Sequence, residues 1–143
     1  MSGISAFDVS ASGMSAERLR MEVVANNIAN AHSTRSSSGG PYQRQQVIFA
    51  PALEESLGSQ SNSGGLAGVQ IAGVENDATP FPKLYDPGHP DAAKDGYVTM
   101  PNVAIANEMV DMITASRGYE ANLQALRTMR SMVEQTLGVL RAG

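Results

Sequence analysis

The sequence has no cysteine and no tryptophan, and only 5% of its 143 residues are aromatic. The absence of cysteine excludes a disulfide framework and any metal site with thiolate ligands. Because few large aromatic side chains can be buried, a large compact core is not expected. The length is about that of one domain, so we expect one folding unit with extended parts.

Basic charge and long apolar runs are also lacking. The net charge is −4, so the broad basic surface of a nucleic-acid-binding protein is missing. No segment approaches the roughly 18 apolar residues of a membrane span. The first residues lack the basic start and continuous apolar core of a cleavable signal peptide. We therefore expect no nucleic-acid binding and no membrane span, and another export route if the protein leaves the cytoplasm.

Residues that catalysis or metal binding would require are scarce. His32 and His89 are the only histidines and there is no cysteine, so very few residues could form a Ser–His or Cys–His nucleophile system. Asp86, Asp91 and Asp95 lie close to His89, but their spacing matches no calcium loop, and zinc would need further His or Cys ligands. A tight turn between prolines is the favoured interpretation. We predict no cofactor, no metal site and no enzyme activity.

A repeat with three- and four-residue spacing is present at both ends of the chain. Near the N-terminus it joins Ile4, Phe7, Ala11, Met14, Met21, Ala25 and Ile28. Near the C-terminus it joins Ile105, Met109, Met112, Ser116, Tyr119, Leu123, Leu126, Val133, Leu137 and Leu140. Arg18 and Arg130 are the charged interruptions. This spacing predicts two long amphipathic helices, of about 28 and about 38 residues.

The segment between the helices has a different composition. Ser and Gly dominate 34–41 and 56–65, which is typical of linkers. Runs of β-branched and aromatic residues predict short strands at 42–49, 68–74 and 97–100. Residues 80–90 are punctuated by prolines and are predicted to form a loop.

The two apolar stripes can cover each other only if the chain doubles back. We therefore predict a mainly α fold in which residues 1–33 and 101–143 pair as an antiparallel coiled coil and form one inner domain. Residues 34–100 are expected to form a linker and a small β-rich or extended middle segment. The pattern leaves open a small bundle in which each helix has a wider core-facing side. In a lone pair, flanking residues such as Val110 and Met132 would instead meet other subunits.

Four separated motifs occur in the order typical of one known family. They are SASGMSAERLRMEVVANNIANAHS (10–33), GGPYQRQQVIFAP (39–51), YDPGHPDAAKDGYVTMPNV (85–103) and EMVDMITASRGYEANLQALRTMRSMVEQTLGVLRAG (108–143). Together they closely resemble the rod and hook family of bacterial flagellar axial proteins, and within it the proximal-rod members. Only residues 54–80 carry little resemblance.

The resemblance implies a structural subunit. Members of this family place their terminal helices in an inner domain, which packs with neighbouring subunits into a hollow drive shaft around the export channel. The implied partners are further copies, other rod subunits, ring and adaptor proteins at the rod base, and the type III export apparatus. The implied location is the periplasmic rod of the basal body. The residues themselves leave an alternative open, a soluble helical adaptor or export chaperone that binds partner helices.

Subunit contacts are expected along both helices and at the asparagine-rich end of the first. The expected residues are Ile4, Phe7, Met14, Met21, Asn26, Asn27, Ile28, Asn30, Met109, Met112, Tyr119, Glu120, Asn122, Leu123, Leu126, Val133, Leu137 and Leu140. Since asparagine tolerates left-handed backbone and can bond helix-end carbonyls, Asn30 is predicted to end the first helix. Asn102 is predicted to cap the last helix, and Gly118 to introduce a bend.

Pairing the two stripes end to end predicts a register. If Ile4 faces Leu140, Arg18 and Arg130 fall in adjacent layers, which we expect to face the channel or a neighbouring subunit. Each arginine has a carboxylate four residues further along the helix, so both are expected to form intrahelical ion pairs. The predicted pairs are Arg18–Glu22 and Arg130–Glu134.

Overall fold

Two long helices dominate the computed structural model, which describes residues 2–37, 39–51 and 68–142. Helix α1 covers Ser2–Ala29 and helix α2 covers Ile105–Ala142, with 28 and 38 residues. Four short strands lie between them: β1 (Gln45–Pro51), β2 (Val69–Asn76), β3 (Lys83–Tyr85) and β4 (Tyr97–Thr99). The prediction of a mainly α fold with two long helices and small strand elements is confirmed. Neither described helix has both the length and the apolar composition of a membrane span.

The strands form two antiparallel pairs. Strand β1 pairs with β2 from Gln45 opposite Asn76 to Pro51 opposite Val69, and β3 pairs with β4. The strands predicted at 42–49, 68–74 and 97–100 correspond to β1, β2 and β4, whereas the linker predicted at 56–65 lies outside the described residues. Strand β3 corrects the loop predicted at 80–90. The prolines of that segment flank the three strand residues, so the backbone N–H groups of β3 remain available for pairing.

Helices α1 and α2 pack antiparallel, but in a register that differs from the predicted one. Cross-helix contacts join Gly13 with Asn122, Glu17 with Gly118, and Asn27 with Glu108. Gly13 therefore lies opposite Asn122, whereas the predicted pairing of Ile4 with Leu140 would place Gly13 opposite Ser131. The prediction is therefore wrong by nine residues, about 13 Å along a helix. In the observed register, Arg18 and Arg130 do not lie in adjacent layers.

The buried face of the helix pair consists of small and polar residues, which explains the shift in register. The buried residues of α1 and its end are Ser10, Ala16, Val23, Val24, Asn27 and Ala31, and those of α2 are Glu108 and Ala115. Ala11 and Ala25, assigned to the predicted stripe, are exposed. The actual packing face is therefore rotated from the line of large apolar residues. The core lies where the second half of α1 meets the first half of α2 and β1.

Gly118 marks a close approach of the two helices, within an α2 that is helical throughout. A Cβ atom at Gly118 would lie 3.1 Å from Glu17 Cδ, whereas one at Gly138 would meet nothing within 4 Å. Gly118→Leu is expected to lower the free energy of unfolding by about 1–3 kcal/mol through overpacking. The matched variant Gly138→Leu is expected to leave it unchanged or raise it by up to about 1 kcal/mol. Urea denaturation followed by circular dichroism measures both, and equal effects would contradict this packing.

The two predicted intrahelical ion pairs are confirmed. Arg18 Nε lies 3.0 Å from Glu22 Oε1, and Arg130 Nε lies 2.8 Å from Glu134 Oε1. All four side chains are more than half exposed, so each pair contributes little to stability. Their effect is to keep the charged heads in solvent beside the helix.

Asn102 does not cap α2, so that prediction is wrong. Its Oδ1 accepts a hydrogen bond of 2.7 Å from the Arg44 N–H, and its Nδ2 donates to the carbonyls of Asp77 and Thr79 at 3.1 and 3.0 Å. The side chain therefore ties the start of β1 to the residues that follow β2. The first helical bond of α2 runs from Glu108 N–H to the carbonyl of Ala104.

Candidate subunit interface

Asn27, near the end of α1, joins three elements of the chain. Its side chain is completely buried. Nδ2 donates to the Gln45 carbonyl at 2.8 Å and to Glu108 Oε2 at 2.9 Å, and Oδ1 accepts from Tyr42 Oη at 2.8 Å and from the Gln45 N–H at 3.0 Å. All four hydrogen-bonding positions of the amide are used. Asn27 bonds both the N–H and the C=O of Gln45. Its amide therefore makes the two backbone hydrogen bonds that a neighbouring strand would make at this edge of β1.

Glu108 is the charged centre of the same cluster. Its carboxylate is completely buried, and Oε1 accepts a hydrogen bond of 2.6 Å from Arg44 Nε. The other guanidinium nitrogens of Arg44 lie 3.3 Å from Asp77 Oδ2 and 3.3 Å from Asp111 Oδ2. A buried charge is tolerated only when it is paired and hydrogen-bonded, and both conditions hold here. The polar joint is the set Asn27, Tyr42, Arg44, Glu108 and the backbone of Gln45.

The surroundings of the polar joint shift three pKa values. Burial raises the pKa of the Tyr42 hydroxyl, and the negative charge of Glu108 adds to the rise. Burial alone would lower the pKa of Arg44, but hydrogen bonds and charges from Glu108 and Asp77 raise it above its usual range. Hydrogen bonds from Thr79, and then Arg44, lower the pKa of the Asp77 carboxyl. At neutral pH, Tyr42 is therefore a neutral donor, while Arg44 and Asp77 are charged.

The end of α1 depends on side-chain amides. Asn30 Nδ2 donates to the Asn26 carbonyl at 2.9 Å and to Asn26 Oδ1 at 2.7 Å. The prediction that Asn30 bonds a helix-end carbonyl is confirmed. Within the described part of the chain, however, only glycines have positive φ, so Asn30 does not adopt the left-handed conformation. The chain leaves the helix through a tight turn in which Ala31 N–H bonds the Ile28 carbonyl at 3.2 Å.

The residues expected at subunit contacts differ in exposure. Exposed are Asn26, Met109, Glu120, Val133, Leu137 and Leu140. Partly buried are Phe7, Met14, Met21, Ile28, Asn30, Met112, Tyr119, Asn122, Leu123 and Leu126. Ile4 lies in α1, and its side chain is outside the described ones. Asn27 is completely buried and forms its four hydrogen bonds within its own chain.

Apolar side chains are exposed at two places on α2. The terminal seam consists of Val133, Leu137 and Leu140, with Met132 and Val139 beside it, and these residues are 48–74% exposed. The outer stripe consists of Ile105, Met109, Val110 and Ile113, which are 38–62% exposed. Clusters of exposed apolar side chains on a helix are typical of protein interaction sites. The two patches lie near opposite ends of α2.

The aspartates near His89 are engaged in the turn between β3 and β4. Asp91 accepts from Thr34 Oγ1 at 2.8 Å and pairs with Arg35 Nη2 at 2.7 Å, and its N–H donates to His89 Nδ1 at 3.0 Å. Among the residues that the structure describes, no three His, Asp or Glu side chains are grouped to hold a metal ion. This turn instead ties the hairpin to the segment after α1.

Sequence reasoning missed Tyr42, Arg44 and Glu108 as partners of Asn27. One signal was present for Glu108, which lies seven residues before Ala115 and ten before Gly118. At helical periodicity these three residues share one face, and small residues on a face permit the close approach of a second helix. The predicted stripe followed the large apolar side chains and therefore passed over this face.

Comparisons with known proteins match most of the chain. Residues 7–35 match the family described as flagella basal body rod protein, and residues 94–139 match the flagellar basal body rod FlgEFG protein C-terminal family. The chain is 42% identical to the flagellar basal-body rod protein FlgC of Borreliella burgdorferi, over 96% of this chain and 97% of the relative. It is 38% identical to that of Salmonella typhimurium over the same shares, and 35% identical to that of Bacillus subtilis over 97% and 99%. These relatives are structural rod proteins.

Proposed function

The chain belongs to the flagellar basal-body rod family as a FlgC-type member, and on this premise we propose that it polymerises through its terminal helices into the hollow proximal rod. The rod would enclose the export channel and transmit torque for motility. The observation that carries the proposal is the terminal seam, where Leu137 and Leu140 are 52% and 72% exposed on a helix whose earlier turns are covered by α1. In a monomer this apolar surface remains exposed to water, whereas an assembled subunit buries it.

The division of the chain fits this role. Residues 1–33 and 101–143 are assigned to one inner domain that forms a coiled coil in the assembly, and residues 34–100 to the middle segment. The polar joint connects α1, α2 and β1 through directional hydrogen bonds, of which Asn27 alone makes four. Because a fully satisfied buried network fixes relative orientation, load applied to the β elements would pass to the helices without slippage.

The proposed partners are other rod subunits and further copies of the chain, together with ring and adaptor proteins at the rod base. The proposed place is the periplasmic part of the basal body, reached through the type III export apparatus. The net charge of −4 gives no support to nucleic acids as partners.

The test is incorporation into basal bodies. The chain, carrying an epitope tag, is expressed in a flagellated bacterium that lacks its own FlgC-type protein. We expect motility to return and the chain to remain in detergent-extracted basal bodies. A truncation that removes residues 131–143 deletes the terminal seam and keeps the polar joint, and is expected to abolish incorporation and motility.

The full-length variant Ser131→Asp serves as the control, since Ser131 is exposed and lies on the side of α2 away from Val133, Leu137 and Leu140. It should incorporate normally. Motility restored by a chain that is absent from purified basal bodies would contradict a rod subunit. That result would favour the adaptor or export chaperone, which acts during export without entering the shaft.

A further inference from the structure

Helix α1 is hydrogen-bonded to the β1–β2 pair at two points, one on each outer edge of that pair. At one point, Asn27 bonds the N–H and the C=O of Gln45, which therefore point away from β2. At the other point, Ser12 Oγ accepts a hydrogen bond of 3.2 Å from the Val69 N–H, which therefore points away from β1. Helix α1 thus crosses the β1–β2 pair from the outer edge of one strand to the outer edge of the other.

The two points of contact differ in strength. Asn27 is completely buried and makes four hydrogen bonds within the polar joint. The bond between Ser12 and Val69 is a single, solvent-exposed one. Ser12 Oγ also donates to the Val9 carbonyl at 2.7 Å, so its hydroxyl keeps a partner inside α1 when Val69 moves away. Water can replace Ser12 at the Val69 N–H, and separation at Ser12 therefore costs far less than separation at Asn27.

Packing between the two points is loose. A cleft of about 260 Å³ lies between α1 and β1, and its apolar lining includes Val23, Val47 and Phe49. On the strands, Phe49, Val69 and Val74 remain 38–43% exposed. Few apolar contacts therefore hold the middle of the two strands on the helix.

Val23 lies on the side of α1 that faces the strands. It follows Ser12 by eleven residues and precedes Asn27 by four, so the three residues share one side of the helix. Its side chain is only 9% exposed. The β1–β2 pair therefore covers an apolar position of α1, although it is anchored firmly at one end alone.

Gly68, the residue before β2, permits the close approach at the weaker point. Its φ of 84° lies in the region that favours glycine. A Cβ atom at this position would lie 2.5 Å from Ser12 Oγ and 3.3 Å from Val9 Cα. A side chain is therefore incompatible with the bond between Ser12 and Val69. The latch is the set Ser12, Gly68 and the Val69 N–H.

We propose that the β1–β2 pair is a strap with two states on α1. In the closed state the latch is engaged and Val23 is covered. In the open state the latch is released, while the seven residue pairs between the strands and the polar joint remain intact. The polar joint is then the pivot, and opening exposes Val23 to solvent without separating α1 from α2. Both states belong to the isolated chain, so the proposal does not depend on assembly into a rod.

Thiol labelling of the isolated chain tests the strap, because the chain has no cysteine of its own. Val23→Cys reports opening of the strap. Ala115→Cys reports separation of the two helices, since Ala115 is 0% exposed on the buried face of the helix pair. Mass spectrometry measures the rate at which each thiol reacts. We expect Val23→Cys to react at least about tenfold faster than Ala115→Cys, because the strap opens more often than the helices part.

Gly68→Ala is expected to hold the strap open, because the added Cβ atom occupies the latch. Combined with each reporter, it should raise the labelling rate of Val23→Cys at least about tenfold and leave that of Ala115→Cys unchanged. Gly73→Ala, in the same strand, is the matched control, since a Cβ atom there would meet nothing within 4 Å. It should change neither rate. If Gly68→Ala raises both rates equally, or raises neither, the strap is overturned.

Amide hydrogen exchange measured by NMR locates the pivot. The Val69 N–H reports the latch and the Gln45 N–H reports the polar joint. We expect the Val69 amide to exchange on the order of 100-fold faster, because the contact at Asn27 contains three more hydrogen bonds. Ser12→Ala should speed exchange at Val69 further and leave Gln45 unchanged. Equal exchange rates at the two amides would overturn the polar joint as the pivot.

Discussion

Arg44→Leu is expected to lower the free energy of unfolding by about 3–5 kcal/mol, because it leaves the buried Glu108 carboxylate without its cation. Arg44 Nε lies 2.6 Å from a carboxylate that is 0% exposed, so water cannot replace the lost guanidinium without opening the joint. Urea denaturation of the isolated chain measures the change. Arg35→Leu is the control: Arg35 is 79% exposed and pairs with Asp91, so the expected cost is below about 1 kcal/mol.

The origin of the Arg44 effect is tested by a second substitution. Glu108→Gln removes the charge but keeps an oxygen that accepts the Asn27 hydrogen bond. The double variant Arg44→Leu with Glu108→Gln is therefore expected to be more stable than Arg44→Leu alone, since no unpaired charge remains buried. If the two substitutions lower the free energy of unfolding additively, the cost of Arg44→Leu does not come from an unpaired Glu108 carboxylate.

Asn27→Leu is expected to lower the free energy of unfolding by about 3 kcal/mol or more. It removes four hydrogen bonds and leaves Tyr42 Oη, the Gln45 backbone and Glu108 Oε2 without that partner. Each buried polar group left unsatisfied costs about 1–3 kcal/mol. The loss appears in the isolated chain, before any assembly, because Asn27 contacts its own chain.

Asn26→Leu provides a matched control one residue away. Asn26 is exposed, and among the described contacts its side chain accepts only from Asn30. The expected cost of this substitution is below about 1 kcal/mol. Equal melting temperatures for the variants at positions 26 and 27 would contradict the polar joint.

The helices and three of the four strands could be predicted because their signals are local. The three- and four-residue spacing defines α1 and α2 within the helices themselves, and β-branched residues define β1. Strand β3 was missed because its three residues lie between prolines. Register could not be read in the same way, since glycines at positions 13 and 118 determine where the helices meet, and a glycine contributes nothing to an apolar stripe.

The polar joint could not be predicted from local sequence patterns, for a related reason. Asn27 bonds residues 18 and 81 positions away along the chain, so its partners are brought together only by the fold. The sequence marked the asparagine segment as unusual and placed it correctly at the end of α1. It did not distinguish Asn27, which is buried, from Asn26 and Asn30, because identical side chains on neighbouring helix positions face different surroundings.

The register of the helix pair determines both the polar joint and the exposure of the terminal seam. In the observed register, Asn27 meets Glu108, and Leu137 and Leu140 lie beyond the start of α1. In the predicted register, Leu140 would lie opposite Ile4, and α1 would cover the terminal seam within the chain. Assembly through the terminal seam therefore depends on this register.

Disulfide trapping in the monomer tests the register most directly, because the chain contains no cysteine of its own. A Cβ atom at Gly13 would lie 3.2 Å from Asn122 Cγ, which is compatible with a disulfide between these positions. We expect that Gly13→Cys with Asn122→Cys crosslinks within the chain under mild oxidation, whereas Gly13→Cys with Ser131→Cys stays reduced. Crosslinking of the second pair and not the first would contradict the register and the uncovered terminal seam.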